Sequence, residues 1–319
     1  RDKAILLDEK EVDELSRLAK NLHLDDRFIN DDIPLYEAFN LNSLEEGNHV
    51  TYGDFVKKFV DDILSFDQRK IALSENLGNV LRPYQLHAVK WLDALYENKM
   101  GGILADDMGL GKTLETIAFL SLPKKTKKPS LIIVPKSVLY NWKDEIKRFA
   151  PALRVSLLDG SKEERLALIN EMKDGKEGIY VTSYDSLRND SSLYEGALFD
   201  TIVCDEAQTI KNALALKSKA IKRLKGSFRL ALTGTPIENS MADLWAIFDF
   251  LMPGYLRTLP IFKTTYVMAG NQEEARRVLS KKVQPFLLRR TKDEVLKELP
   301  PKTVERISIP MDQESESFY

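Results

Sequence analysis

The sequence predicts an α/β protein with a mostly parallel sheet whose strands alternate with helices. Three observations carry that expectation. Six short apolar segments, from Gly101–Ala105 to Arg229–Leu232, are separated by stretches of helical periodicity. One stretch, Gly101 to Thr113, reads as strand, glycine-containing loop and helix start. Asp106, Pro135, Thr182, Asp205 and Thr233 stand at or just past strand ends, on the edge where open α/β sheets bind ligands.

Residues 1–78 read as a helical preface. Val12, Leu15, Leu18 and Leu22 recur at helical spacing, as do Phe55, Val56, Phe59, Val60, Ile63 and Leu64. The polar stretch between them is turn-rich, and the segment is expected to pack or link rather than do chemistry. Leu81-Arg82-Pro83-Tyr84-Gln85 opens a helix, with Pro83 in its first turn. The glycine loop follows, and its helix continues through Leu120. Lys124 to Lys128 reads as a solvated loop.

Ser130–Pro135 is a continuous apolar run of the kind buried in a parallel sheet. A helix follows with Val138, Trp142, Ile146 and Phe149 on one face, so Trp142 reads as core. Arg154–Leu158 is a short strand, and Ser161 with Glu164 forms a capping-box pattern for the next helix. Gly178–Ser183 is a further strand. Phe199–Glu206 is another, ending in two adjacent carboxylates, and Arg229–Pro236 is the last clear one. From Met241 the pattern turns helical, through Leu244, Trp245, Ile247 and Leu251, then Glu273–Val283 and Lys292–Leu299. Trp245 reads as core and Arg289-Arg290 as surface charge. An extended tail begins at Pro300, with a possible strand at Ile307–Pro310.

At 319 residues, 43% hydrophobic and 30% charged, the chain has the composition of a soluble globular protein with a sizeable core. No apolar run approaches the length of a membrane span, so no membrane partner is expected. The opening Arg-Asp-Lys lacks an initiator Met and reads as the start of an excised fragment. One cysteine, Cys204, leaves no internal disulfide and no zinc cluster. His23, His49 and His87 show no ligand spacing. The net charge of −2 hides an asymmetry: residues 1–78 carry 10 basic and 18 acidic side chains, the remainder 37 and 31. A mildly basic body permits a phosphate-contacting face without establishing one.

The chemistry begins with Gly109-Leu110-Gly111-Lys112-Thr113. Loop N–H groups and a helix N-terminus suit phosphate oxygens. Lys112 would reach the β- and γ-phosphates, and the Thr113 hydroxyl would ligate Mg²⁺. The general pattern has Gly where this chain has Asp106, so the loop alone is incomplete. Asp205 and Glu206 supply support. A carboxylate at a buried strand end is costly unless compensated, and Mg²⁺ between Thr113 and Asp205 would compensate it. Glu206 is then placed to orient and deprotonate a water.

The segments LRPYQ, LADDMGLGKT, LIIVPKSVLYNWKDEI, VTSYD, VCDEAQTIKN, LALTGTPIEN and FLLRRTKDEV occur in this order. Together they resemble the first RecA-like ATPase lobe of the Swi/Snf family of superfamily-two helicase-like DNA translocases, over about residues 79–303. The family's own loop carries Asp at position 106, which removes the objection above. The resemblance implies ATP and Mg²⁺ as cofactors. It implies a site in which Arg82 and Gln85 meet the adenine. Asp106, Met108, Gly109, Leu110, Gly111, Lys112, Thr113 and Leu114 would form the phosphate loop. Lys112, Asp205 and Glu206 are the implied catalytic residues, with Thr113 and Asp205 on the metal. Gln208, Thr233, Gly234 and Thr235 would couple hydrolysis to DNA movement. Pro135, Lys136, Thr182, Ser183, Lys211 and Asn212 would lie along the backbone of double-stranded DNA.

The implied division is a helical accessory segment at 1–78, lobe one at 79–240, a helical protrusion at 241–303 and a linker at 304–319. That linker would lead to a second RecA-like lobe in the parent chain. The fragment alone is expected to be weakly active or inactive. The parent is expected in the nucleoid-containing cytoplasm or in a nucleus, acting on an unidentified protein partner. A strand-separating helicase and a non-catalytic, ATP-switched docking module are the alternative readings.

Overall fold

Apolar runs without alternation need both faces of their sheet covered, and helices that cross back after each strand leave the strands parallel. The structure, a computed structural model, describes residues 54–124, 126–210, 216–234 and 241–295. Its strands are β1 (Gly102–Leu104), β2 (Ser130–Val134), β3 (Val155–Leu158), β4 (Ile179–Ser183), β5 (Leu198–Cys204), β6 (Lys225–Leu232) and β7 (Leu287–Leu288). All pair in parallel, in the order β3-β4-β2-β5-β6-β1-β7. The centre is the driest part: Leu131 to Val134 and Ile202 to Cys204 are each 0% exposed. This is the α/β architecture with a mostly parallel sheet that the sequence predicts.

The helices are α1 (Asp54–Leu64), α2 (Glu75–Val80), α3 (Pro83–Glu97), α4 (Lys112–Ser121), α5 (Leu139–Phe149), α6 (Lys162–Lys173), α7 (Tyr184–Asn189), α8 (Leu216–Lys222), α9 (Met241–Leu251), α10 (Leu259–Phe262), α11 (Gln272–Val283) and α12 (Lys292–Val295). Pro83 is the first residue of α3, where its missing N–H costs nothing. Ser161 and Glu164 cap α6 reciprocally, at 2.8 and 3.2 Å. Gly102 lets α3 approach β1: a Cβ there would stand 2.6 Å from Leu95 Cδ1 and 2.9 Å from the Trp91 ring. None of the described helices is long and apolar enough to cross a membrane.

The part of the preface that is described packs onto this body. Phe59, Val60 and Ile63 of α1 and Leu77 of α2 join the same buried cluster as the sheet. Arg69 bonds Asp62 at 2.7 Å and Asp93 at 3.0 Å, tying that segment to α3. The Val12–Leu22 repeat, the helix beyond Val295 and the tail from Pro300 lie outside the described residues.

Three local expectations change. β6 begins at Lys225, before the apolar run that announces it, because its first residues face water. Lys124 is not a solvated loop residue: its ammonium sits 3.5 Å from the Phe119 ring centre and 4.0 Å from that of Tyr96. Burial pulls its pKa down to about 8, against the nearby Asp200, which raises it. β7 has no sequence signal, because two residues cannot show a period. It returns the otherwise helical stretch after Met241 to the sheet, pairing Leu287 and Leu288 with Ile103 and Leu104.

That return brings Arg290 beside the loop that follows β1, and the surface-charge reading fails there. Asp106 and Glu115 are both 0% exposed, and the Arg290 guanidinium lies between them. It meets Glu115 at 2.8 Å, bonds the Asp106 carboxylate through Nε and Nη2, and reaches the Tyr84 carbonyl through Nη1. The backbone reinforces the junction. Ala105 N–H donates to Leu288 O at 2.7 Å, Asp107 N–H to Arg290 O at 3.0 Å, and Arg290 N–H to Asp106 Oδ1 at 2.9 Å.

One guanidinium faces two buried carboxylates, and desolvation moves the Glu115 pKa from its ordinary 4.5 up to about 8, with Arg290 opposing. The folded chain therefore holds a proton at neutral pH that the unfolded chain releases. Glu115 alone makes stability fall as pH rises from about 4.5 to about 8, by roughly 1.4 kcal/mol per pH unit at most. Glu115→Gln keeps an acceptor for Arg290 and removes the titration. Unfolding free energies measured across that window are expected to decline less steeply in the variant. Parallel curves would show that Glu115 ionises normally.

Candidate nucleotide site at the carboxyl edge of the sheet

The loop between β1 and α4 is shaped by two left-handed glycines, Gly109 at φ 88° and Gly111 at φ 95°. Gly111 is doubly constrained, since a Cβ would stand 2.4 Å from Gln85 Nε2. Gln85 is buried, and its carboxamide is engaged at both ends. It donates to the Leu110 carbonyl at 2.9 Å and accepts the Arg82 N–H at 2.9 Å. Tyr84 donates its hydroxyl to the same carbonyl at 2.8 Å. Gln85 therefore moulds the loop, while the Arg82 side chain remains exposed. Leu110 is buried and offers only its backbone, whereas Met108 is exposed and Leu114 half-buried.

Lys112 turns its ammonium toward the loop, donating to the Asp106 carbonyl at 2.7 Å and more weakly toward Asp107 at 3.4 Å. The Asp106 contribution here is its carbonyl, because its carboxylate is taken by Arg290. Burial lowers the Lys112 pKa, while Asp106, Glu206 and Asp205 oppose that shift.

A cleft of about 490 Å³ opens in front of this loop. Gly109, Gly111, Lys112 and Thr113 line one wall, α5 supplies another, and Asp205 with Glu206 complete it. Asp205 continues the β5 ladder through its N–H to Ile133 O at 2.9 Å. Its carboxylate is held by two donors: Trp142 Nε1 at 2.8 Å and the Glu206 N–H at 2.9 Å. Tyr184 donates to its carbonyl at 2.6 Å. Desolvation raises the Asp205 pKa, and the Trp142 and Glu206 N–H groups counter it. Glu206 stands at φ 50°, a left-handed conformation worth about 1–3 kcal/mol of strain in a side chain of this kind.

Gln208 donates to Glu206 at 2.5 Å and accepts the Thr233 hydroxyl at 3.0 Å. The ends of β5 and β6 are thus joined through one carboxamide. Gly234 abuts the loop from the other side, where a Cβ would come 2.7 Å from Met108 Cγ. Thr235 lies outside the described residues, as do Lys211 and Asn212.

The expected DNA-facing set divides. Lys136 is exposed and Pro135 half-buried at the end of β2. Thr182 and Ser183 are 0% and 2% exposed. β4 lies between β3 and β2, and α7 begins at the next residue. The Ser183 hydroxyl accordingly caps α7, accepting the Ser186 N–H at 3.1 Å.

Sequence reasoning missed Trp142 and Arg290. Helical spacing marks Trp142 as core, and it is 2% exposed. The signal available was its indole N–H, which a buried tryptophan must satisfy. No equivalent signal existed for Arg290, whose partners lie 184 and 175 residues away.

Thr113 and Asp205 present oxygen donors to one cleft, the chemistry that suits Mg²⁺. Among the described residues no group of three or more His, Cys, Asp or Glu side chains forms a metal cage.

Residues 84–319 match the family described as SNF2-related domain. The chain is 44% identical over 260 residues to Uncharacterized ATP-dependent helicase MG018 of Mycoplasma genitalium, covering 81% of this chain and 25% of that protein. It is 40% identical over 249 residues to the human SWI/SNF-related matrix-associated actin-dependent regulator of chromatin subfamily A member 1, covering 76% and 24%. The chain thus spans about a quarter of the length of these curated relatives. A solved Sulfolobus solfataricus SWI2/SNF2 ATPase core in complex with dsDNA superposes with a TM-score of 0.63 at 39% identity, covering 73% of this chain and 49% of that one. The loop, the Asp-Glu strand end and the matched residues agree: the chain belongs to the SNF2-related family, and its sheet is the RecA-like lobe of such an ATPase core.

Proposed function

We propose that this chain is the phosphate-holding lobe of an ATP-driven translocase that moves along double-stranded DNA and remodels protein–DNA complexes. The observation that supports it best is the single cleft shared by Lys112, Thr113, Asp205 and Glu206, with Gln208 joining Glu206 to Thr233. Loop N–H groups and the start of α4 receive the phosphates, and Lys112 exchanges its loop carbonyls for phosphate oxygens. Thr113 and Asp205 would hold Mg²⁺, which neutralises phosphate charge when bound. Glu206 takes the proton of the attacking water. A change at Glu206 reaches Thr233 through Gln208, which makes this the route from hydrolysis to the DNA-facing edge.

Duplex tracking without strand separation is the preferred reading, because the solved relative carries dsDNA. The helicase names of other relatives keep strand separation as the second reading. A displaced-strand assay on the full-length protein separates them.

The described residues form one lobe, and an arginine from a second would complete the site. Such fingers contribute factors of roughly 10³–10⁵ in turnover. Phosphate release by residues 1–319 alone is therefore expected to be at least about 10³-fold slower than by a two-lobed parent. Equal turnover would remove the need for a second lobe. In the full-length protein, Lys112→Ala is expected to lose nucleotide binding and DNA-stimulated phosphate release together. Glu206→Gln is expected to keep binding and lose about 10²-fold or more in release. Undiminished release in both would refute the site.

A further inference from the structure

The cleft contains a donor that the proposed chemistry does not use. Trp142 is 2% exposed, yet it is among the residues that line the cleft. Its Nε1–H donates to Asp205 Oδ2 at 2.8 Å. The other carboxylate oxygen, Oδ1, takes the Glu206 N–H, so the plane of the Asp205 carboxylate is fixed from two directions. The strand-end carbonyl is fixed from a third by Tyr184. Phe keeps one apolar ring of Trp142 but carries no N–H, so it would leave Oδ2 without this donor.

We propose that Trp142 is a positioning residue for Asp205. Its indole N–H holds the carboxylate ready for a divalent cation before the cation arrives. This rests on the nucleotide-site reading above and deepens it. α5 begins directly after the exposed Lys136 turn, so the donor reaches Asp205 from a different element than the strand that carries the carboxylate. Without it, the carboxylate must be ordered at the moment of binding, and the cost falls on the metal-dependent part of nucleotide affinity alone. Hydrogen-bond partners of metal ligands are worth about 10–100-fold in metal affinity.

The test measures ADP binding to the full-length protein, by calorimetry, in chelator and across a range of Mg²⁺. Trp142→Phe is expected to need about 10–100-fold more Mg²⁺ to reach half of the Mg²⁺-dependent gain, with ADP affinity in chelator unchanged. Trp142→His, which restores a ring N–H, is expected to recover part of the loss. If affinity falls equally with and without Mg²⁺, Trp142 is a packing residue and the proposal is overturned. The same holds if the Phe variant matches wild type. If wild-type binding shows no Mg²⁺ dependence, the nucleotide-site reading falls first and the proposal with it.

A second readout leaves residue 142 in place. In protein labelled with 5-fluorotryptophan, one fluorine resonance is expected to move when Mg²⁺ is added with ADP. That response is expected to vanish in Asp205→Asn. Resonances indifferent to Mg²⁺ would overturn the proposal even where the Phe variant fails to fold.

Discussion

The guanidinium of Arg290, between the buried carboxylates of Asp106 and Glu115, is the interaction on which the loop geometry depends. Burying the Asp106 or Arg290 charge alone would cost several kcal/mol, and Glu115, whose pKa burial raises, gives the guanidinium a further oxygen acceptor. The cluster explains why Asp occupies the position where a general phosphate loop has Gly. Asp106 is absent from the left-handed conformations, so its backbone does not need glycine. Its side chain is free to be something useful. It fastens the chain leaving β7 to the loop that follows β1, beside Tyr84 at the start of α3. Three distant stretches of sequence are thereby fixed around one phosphate-binding loop. The backbone bonds from Ala105 and Asp107 add directional restraint that charges alone would not give.

The parallel sheet imposes the second constraint. Because every described strand points the same way, the ends of β1, β2, β4, β5 and β6 arrive on one edge. Chemistry can then be assembled from short elements without long-range design. What differs among the ends is what lies beyond them. After β5 the chain turns sharply at Glu206, in a conformation that a carboxylate adopts only under constraint. Gln208 and Thr233 are hydrogen-bonded in series from the Glu206 carboxylate, which links that residue to the neighbouring strand end.

Much of this was legible because long apolar runs and a glycine loop are strong local signals. The strands from β1 to β6, the Pro83 helix start and the Ser161–Glu164 cap all follow from spacing that requires no tertiary knowledge. What stayed hidden was tertiary. β7 is too short to carry a pattern, and Arg290 acquires meaning only through β7. Trp142 reads correctly as buried, yet burial says nothing of where its N–H ends. The burial of Thr182 and Ser183 was hidden for a different reason. A strand end was equated with an exposed end, whereas β4 has a strand on either side and a helix starting at once. The difference from Lys136 is simply that the turn after β2 projects before α5 begins.

The charges around the cleft indicate how the site is completed. Lys112 is the cation on the loop wall, and it already has carbonyl acceptors at Asp106 and Asp107. Facing it are Asp205 and Glu206, with Glu145, whose pKa burial raises, on α5. Arg148 is the other cation lining the cleft, and it also offsets Glu145. A triphosphate brings more negative charge to a wall where carboxylates already outnumber cations. Such a site favours binding only when positive charge accompanies the ligand or closes over it. A divalent cation on Asp205 answers the first need, which makes the orientation of that carboxylate consequential. On the function proposed above, a cationic side chain from outside this lobe would answer the second.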